Sequence, residues 1–258
     1  MRLQPDLDLA RRFLADSAVP GRVVLGAITG SHHYGFPSPD SDIDIKTIHL
    51  APTASMLGLT APKESHDRLE MFEDVECDLT SNEARQALSL MLSGNGNMLE
   101  RLLCPYQLFA SAQVSELQEL AQGAVCKRFH GHYMGYLRGM IREHDKALAP
   151  TAKRVLYAYR VALTGVHLLR TGELQADLSV LAEPYGFAQA LPLIDKKRRT
   201  AEKAVLTEAE DALHRESLPL LIEALDAAQA ESPLPERAPN ADACNAWLVE
   251  ARRREWAR

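Results

Sequence analysis

Ile28-Thr29-Gly30-Ser31-His32-His33-Tyr34-Gly35-Phe36-Pro37-Ser38-Pro39-Asp40-Ser41-Asp42-Ile43-Asp44-Ile45 is the stretch whose reading decides the fold. The residues leading into it, Arg22 to Thr29, form a short apolar run rich in β-branched side chains, which predicts a buried strand. Gly30 stops that strand, and Ser31 to Phe36 has room for one helical turn. Pro37 to Ser41 is loop by composition. Asp42 to Leu50 then alternates apolar and polar residues, which predicts a second strand. That alternation sends Ile43 and Ile45 to one face and Asp42 and Asp44 to the other.

The chemistry of the stretch follows from its residue types. Gly30 has no Cβ, so its backbone can approach a bulky ligand. Ser31 follows at the start of the helical turn, where free N–H groups and the hydroxyl make a corner suited to phosphate. Asp42 and Asp44 share a strand face and repel each other unless a cation lies between them. Hard carboxylate oxygens suit Mg²⁺ or Mn²⁺, and Mg²⁺ also takes phosphate oxygens. Two such ions about 3.5–4 Å apart stabilise the attacking and leaving oxygens of a phosphoryl displacement. A third carboxylate is expected to complete the site.

Outward from this centre, Asp8 to Leu14 has helical spacing, and His66 to Phe72 with Val75 to Leu79 reads as a strand pair turning near Glu73-Asp74. From Asn82 onward the pattern is helical. Helices are predicted over Glu83 to Leu92, Met98 to Leu103, Val114 to Ala121, Phe129 to Leu148, Lys153 to Arg170, Thr207 to Ala228 and Asp242 to Trp256. Pro105, Pro150 and the run Pro233 to Pro239 break them. The expected fold class is α+β: a small mixed β-sheet in a catalytic domain, residues 1–105, then an α-helical domain, residues 106–258. Its last helix follows the Pro-rich linker.

The formal net charge of −6 argues against a dedicated nucleic-acid binder, which is usually basic. Basic clusters do occur at Lys196-Lys197-Arg198-Arg199 and Arg252-Arg253-Arg254. Cys77, Cys104, Cys126 and Cys244 form no C-x-x-C pair, so they read as reduced thiols rather than a zinc site. That usage predicts a cytoplasmic protein. No apolar run approaches a membrane span and the first residues lack the core of a signal peptide, so no membrane association is expected.

An apolar residue, Gly30-Ser31, a gap of about ten residues and Asp42-x-Asp44 between apolar neighbours resembles the signature of the DNA polymerase beta-type nucleotidyltransferase superfamily. The strand–turn–strand context is what such a motif needs. In that superfamily a third acid lies on a later strand, and the best match here is Asp78 in Val75-Glu76-Cys77-Asp78-Leu79. Glu76, on the same face, and Asp74 are the alternatives. The continuation, Asp78 to Ala84, Leu88 to Leu92 and Gly94 to Leu102, is similar to a bacterial and phage branch associated in part with RNA repair. Lys153 to Glu173 also resembles that branch, although Tyr157 stands where the branch usually carries His.

The resemblance implies transfer of a nucleoside monophosphate from an NTP to a hydroxyl acceptor, with pyrophosphate released. Asp42, Asp44 and Asp78 would be the catalytic and metal-binding acids, and Gly30 and Ser31 the nucleotide corner. The RNA-repair association points to an RNA end as acceptor; the net charge points instead to a small molecule or a protein. A non-catalytic nucleotide-binding or antitoxin-like partner is the rival from another class. Lys153, Tyr157 and Arg160 fall on one helix face, so all three are expected to meet the nucleotide, with Lys153 and Arg160 neutralising the triphosphate. Arg154 lies on a neighbouring face. His32, His33, Tyr34, Asp40 and Ser41 are lesser candidates around the turn. His130, His132, Tyr133 and Tyr136 either line a pocket or pack a helix whose Gly131 and Gly135 permit close approach.

Overall fold

The computed structural model describes residues 4–200 and 204–256. Its elements begin with α1 (Leu7–Asp16), β1 (Arg22–Ile28), α2 (Gly30–His33), β2 (Ile43–Leu50), α3 (Thr53–Met56), β3 (Ser65–Phe72) and β4 (Val75–Glu83). Helices follow: α4 (Ala84–Leu92), α5 (Gly96–Leu103), α6 (Ala112–Gly123), α7 (Phe129–Asp145) and α8 (Ala152–Thr171). The last are α9 (Leu178–Leu181), α10 (Leu191–Thr200), α11 (Glu208–Ala230) and α12 (Ala241–Trp256). This is the α+β fold that the patterning predicts.

Contacts divide the chain into two compact units. Among the described residues, one takes in Gln4–Gly30, Asp42–Ala124 and the stretch from Arg237 onward; the other takes in Ser31–Ser41 and the stretch from Val125 to Glu236. The expected boundary at 105/106 falls inside the first of these. That unit also includes α12, which the sequence division had grouped with the later helices. The reason is a set of specific anchors. Arg252 donates to the Ala51 carbonyl at 2.7 Å and pairs with Glu83, whose side chain is 2% exposed. Arg22 meets Glu255 at 2.9 Å, and the Trp247 indole N–H donates to Glu116 at 2.8 Å.

The sheet of this unit has the order β1-β2-β4-β3. β1 and β3 are antiparallel to their neighbours, and β2 runs parallel to β4. The free edge of β1 is covered by the residues after α5, where Ile28 donates to the Tyr106 carbonyl and Leu108 to that of Gly26. β3 and β4 meet in a two-residue turn in which Glu73 and Asp74 both take positive φ, the geometry that matches strand twist in a hairpin.

One sheet face is apolar. Ile28, Ile43, Ile45, Cys77 and Leu79 pack with Leu9, Ala10 and Phe13 of α1. Asp6 caps α1 by accepting from the backbone N–H groups of Asp8 and Leu9. Burying this stripe leaves Asp44 and its neighbours in alternate register on the opposite face. Arg101 of α5 is itself buried, donating to the Thr47 carbonyl at 2.8 Å and to Asn82 at 2.6 Å. Burial pushes its guanidinium down to about 10.

The second unit is helical. α7, α8 and α11 pack together, with Tyr133 and Tyr159 fully buried. α8 meets its neighbours tightly at Gly165, where an added Cβ would lie 2.8 Å from both Leu225 and Tyr133. This corrects the expectation for Gly131 and Gly135, which face open space. Among the described helices none is long and apolar enough to cross a membrane. The four cysteines are free and buried.

Candidate active site

The register of β2 on β4 sets Asp44 directly opposite Asp78 and Lys46 opposite Thr80. Residues paired this way project from the same face, so the two acids and the lysine belong to one surface. Lys46 Nζ donates to Asp78 at 2.8 Å and to Thr80 at 3.3 Å, and lies 3.6 Å from Asp44. Asp44 sits in a cluster of like charge. Burial is the main reason its carboxyl is pushed up to about 6; Asp42 repels it further, Lys46 relieves it and Asp78 adds repulsion. Among the described residues no three His, Cys, Asp or Glu side chains are gathered as a ready cage for an ion. The donor set is nevertheless of the right chemistry for a hard divalent cation: three carboxylates, one of them raised chiefly by burial.

Gly30 is locked to this acid surface. Its φ is +62°, and a Cβ there would fall 1.8 Å from Asp44 Oδ2. The next backbone group back, Thr29 N–H, donates to the Asp44 carbonyl at 2.9 Å. The sequence motif thus has a packing cause: only glycine lets the end of β1 lie against the carboxylate on β2.

Ser31 opens the segment that belongs to the helical unit. Its hydroxyl is buried and has no hydrogen-bond partner among the described residues. His32 is buried too, and burial, with Lys197 adding repulsion, pushes its imidazole down to about 4. Phe36 N–H donates back to the Ser31 carbonyl at 3.1 Å, closing the turn. Gly35, at φ +84°, lies so close to Asp177 that a Cβ would sit 1.7 Å from its carboxylate.

Two of the α8 residues singled out by spacing, Tyr157 and Arg160, meet this segment. The Arg160 guanidinium lies 3.7 Å from the centre of the Tyr34 ring, and Tyr157 packs edge-on against both Tyr34 and Phe36. Arg160 is buried, Lys153 half-buried and Arg154 exposed. The basic run near 196 is also engaged. Lys197 is fully buried and donates to the Phe36 carbonyl, Arg198 donates to that of Gly35, and Lys196 pairs with Glu210. The sequence shows that run only as a basic cluster, and nothing in its local pattern points to its hold on residues 31–41. Sequence reading also passed over Lys46, although the alternation that groups Asp42 with Asp44 reaches Lys46 two residues later. His130 pairs with Asp226, and the His132 ring leans on Tyr133 and Tyr136.

With this geometry in view, the comparisons with known proteins are informative. The chain belongs to the RNA repair pathway DNA polymerase beta family, whose sequence model matches residues 8–250. The superfamily resemblance seen at Gly30-Ser31 and Asp42-x-Asp44 is borne out at that level. The chain is 29% identical over 154 residues to an uncharacterized protein, MJ0002, of Methanocaldococcus jannaschii, covering 59% of this chain and 62% of that one. It is 26% identical over 204 residues to the uncharacterized protein YcgL of Bacillus subtilis, covering 75% and 76%. A crystal structure of a nucleotidyltransferase-like protein from Exiguobacterium sibiricum aligns over 96% of this chain and 80% of its own, with 12% identity and a TM-score of 0.34.

Proposed function

We propose that this chain is a cytoplasmic, metal-dependent nucleotidyltransferase that moves a nucleoside monophosphate from an NTP to a hydroxyl acceptor, for which we favour an RNA end. The observation that carries the reading is the parallel register that sets Asp44 opposite Asp78, with Asp42 close enough to raise the Asp44 carboxyl. Family membership supports the reaction class and the RNA context.

Asp42, Asp44 and Asp78 are the residues that would hold Mg²⁺ or Mn²⁺. Such an ion, when bound, supplies Lewis-acid stabilisation of charge on the phosphoryl oxygens. The remaining work belongs to the chain. Gly30 brings backbone close to the nucleotide phosphates, and the Ser31 hydroxyl donates to a phosphate oxygen. Asp78 accepts the proton of the acceptor hydroxyl as its oxygen bonds to the α-phosphorus. The bond from the α-phosphorus to the bridging oxygen of the β-phosphate breaks, and pyrophosphate leaves with that electron pair. Lys153 is the cation of α8 that meets the triphosphate. Buried Arg160 and Tyr157 act through the segment they hold, by fixing Tyr34 and Phe36. Positioning and charge stabilisation are the main sources of rate in such a transfer.

The test is to incubate the protein with each α-labelled NTP, Mg²⁺ or Mn²⁺, and a panel of RNA ends, proteins and small hydroxyl compounds. Label appearing on RNA is the expected result. Label on a protein or small molecule overturns the acceptor, and no transfer with any NTP overturns the enzymatic reading in favour of nucleotide binding alone. Activity lost in Glu76→Ala and kept in Asp78→Ala would move the third acid to Glu76.

A further inference from the structure

The carboxylate surface already carries a cation, and it comes from the chain itself. Lys46 stands on β2 two residues beyond Asp44, with its ammonium between two strands. It is 2.8 Å from Asp78, 3.3 Å from the Thr80 hydroxyl and 3.6 Å from Asp44. Its side chain is 18% exposed, so solvent screens these contacts only in part. An ammonium here does two things at once. It offsets the repulsion among the acids, and it draws Asp78 toward itself.

We propose that Lys46 is a resident counter-ion of this cluster, one that a divalent cation must displace from Asp78 before all three carboxylates can converge. The inference rests on the proposed role of Asp42, Asp44 and Asp78 as metal ligands. The physical basis is simple: a positive charge within 4 Å of two ligands opposes the arrival of another, most of all where burial lowers the effective dielectric. A nucleotide changes the balance. Its triphosphate brings negative charge that gives the ammonium a partner other than Asp78, so ion and nucleotide favour each other. Lys46 therefore keeps the cation weakly held until the nucleotide arrives, and then contributes to holding the nucleotide.

One substitution separates this from a structural role, because the two effects have opposite sign. Lys46→Gln removes the charge and keeps the hydrogen-bonding reach toward Asp78. Mn²⁺ binding to the full chain is measured without nucleotide by calorimetry and by the paramagnetic resonance signal of free Mn²⁺. Binding of a fluorescent ATP analogue is then measured with Mn²⁺ present. The expected result is Mn²⁺ binding about tenfold tighter in Lys46→Gln than in the unaltered chain, nucleotide binding weaker, and both near the unaltered values in Lys46→Arg. Lys46→Met answers the same question should the Gln variant fail to fold. Unchanged or weaker Mn²⁺ binding in a folded charge-free variant overturns the role of Lys46. Absence of Mn²⁺ binding in both the unaltered chain and the charge-free variant, with and without nucleotide, overturns the metal-ligand reading along with it.

Discussion

At the scale of single residues, Gly30 and Asp44 have to be considered as a pair. Replacing Gly30 by Ala puts a methyl group 1.8 Å from Asp44 Oδ2 and holds a side-chain-bearing residue at φ +62°. The backbone cost alone is about 1–2 kcal/mol, and the clash forces the carboxylate to move. Gly30→Ala is expected to lower the thermal midpoint and to abolish nucleotidyl transfer, both measured on one preparation. Asp44 makes a second prediction. Its folded value of about 6 stands above the ordinary 3.8. Between those values the folded chain keeps a proton that the unfolded chain has released, so stability falls as pH rises through this window and stays low above it. The cost above pH 6 is on the order of 2–3 kcal/mol. Asp44→Asn is expected to flatten that slope and to be the more stable protein at pH 7 by urea denaturation. An unaltered slope would show that the buried, crowded Asp44 carboxyl is not what destabilises the site. Gly30 was legible because it stops the apolar run before it, and Asp44 because a spacing of two residues on a strand has one geometric meaning. Lys46 was equally available by that rule, but attention to acids left it out.

At the scale of elements, legibility followed periodicity. β1 was readable as a β-branched apolar run, β2 from its alternation, β3 and β4 as a pair flanking the Glu73-Asp74 turn, and the long helices from their apolar spacing. The four-residue helices α3 and α9 are too short for a periodic signal. α10 was missed because its second half, Lys196 to Arg199, looks polar throughout; the burial of Lys197 depends on carbonyl oxygens from residues far away in the chain. Glycine placement misled for a similar reason. Gly135 looks like a packing residue and is open, whereas Gly165 is the tight contact. Gly165→Ala is therefore expected to cost roughly 1–3 kcal/mol by overpacking, while Gly135→Ala gains up to about 1 kcal/mol of helix propensity. Equal effects in denaturant titrations would contradict the described packing of α7, α8 and α11. α12 supplies another check. Arg252→Ala leaves Glu83 buried without its cation and is expected to cost about 3 kcal/mol, read from the urea midpoint.

At the scale of the whole molecule, the chain does not follow the order of its own sequence. The sheet-bearing unit recruits the C-terminal helix, and the helical unit recruits the eleven residues Ser31–Ser41 from between β1 and β2. No local pattern announces either exchange, since each depends on partners more than a hundred residues away, such as Arg252 with Glu83 and Lys197 with Phe36. Within one unit Gly30 lies against Asp44; within the other the residues after Ser31 are held by Arg160, Tyr157 and Lys197. The central claim remains that the acids on β2 and β4 carry nucleotidyl transfer. It is tested most directly by pyrophosphate release from an NTP with Mn²⁺ and an RNA bearing a free 3′-hydroxyl, comparing the unaltered chain with Asp44→Asn. The account predicts release by the unaltered chain and a fall of about a hundredfold or more in the folded variant. Equal release by the two proteins would contradict it.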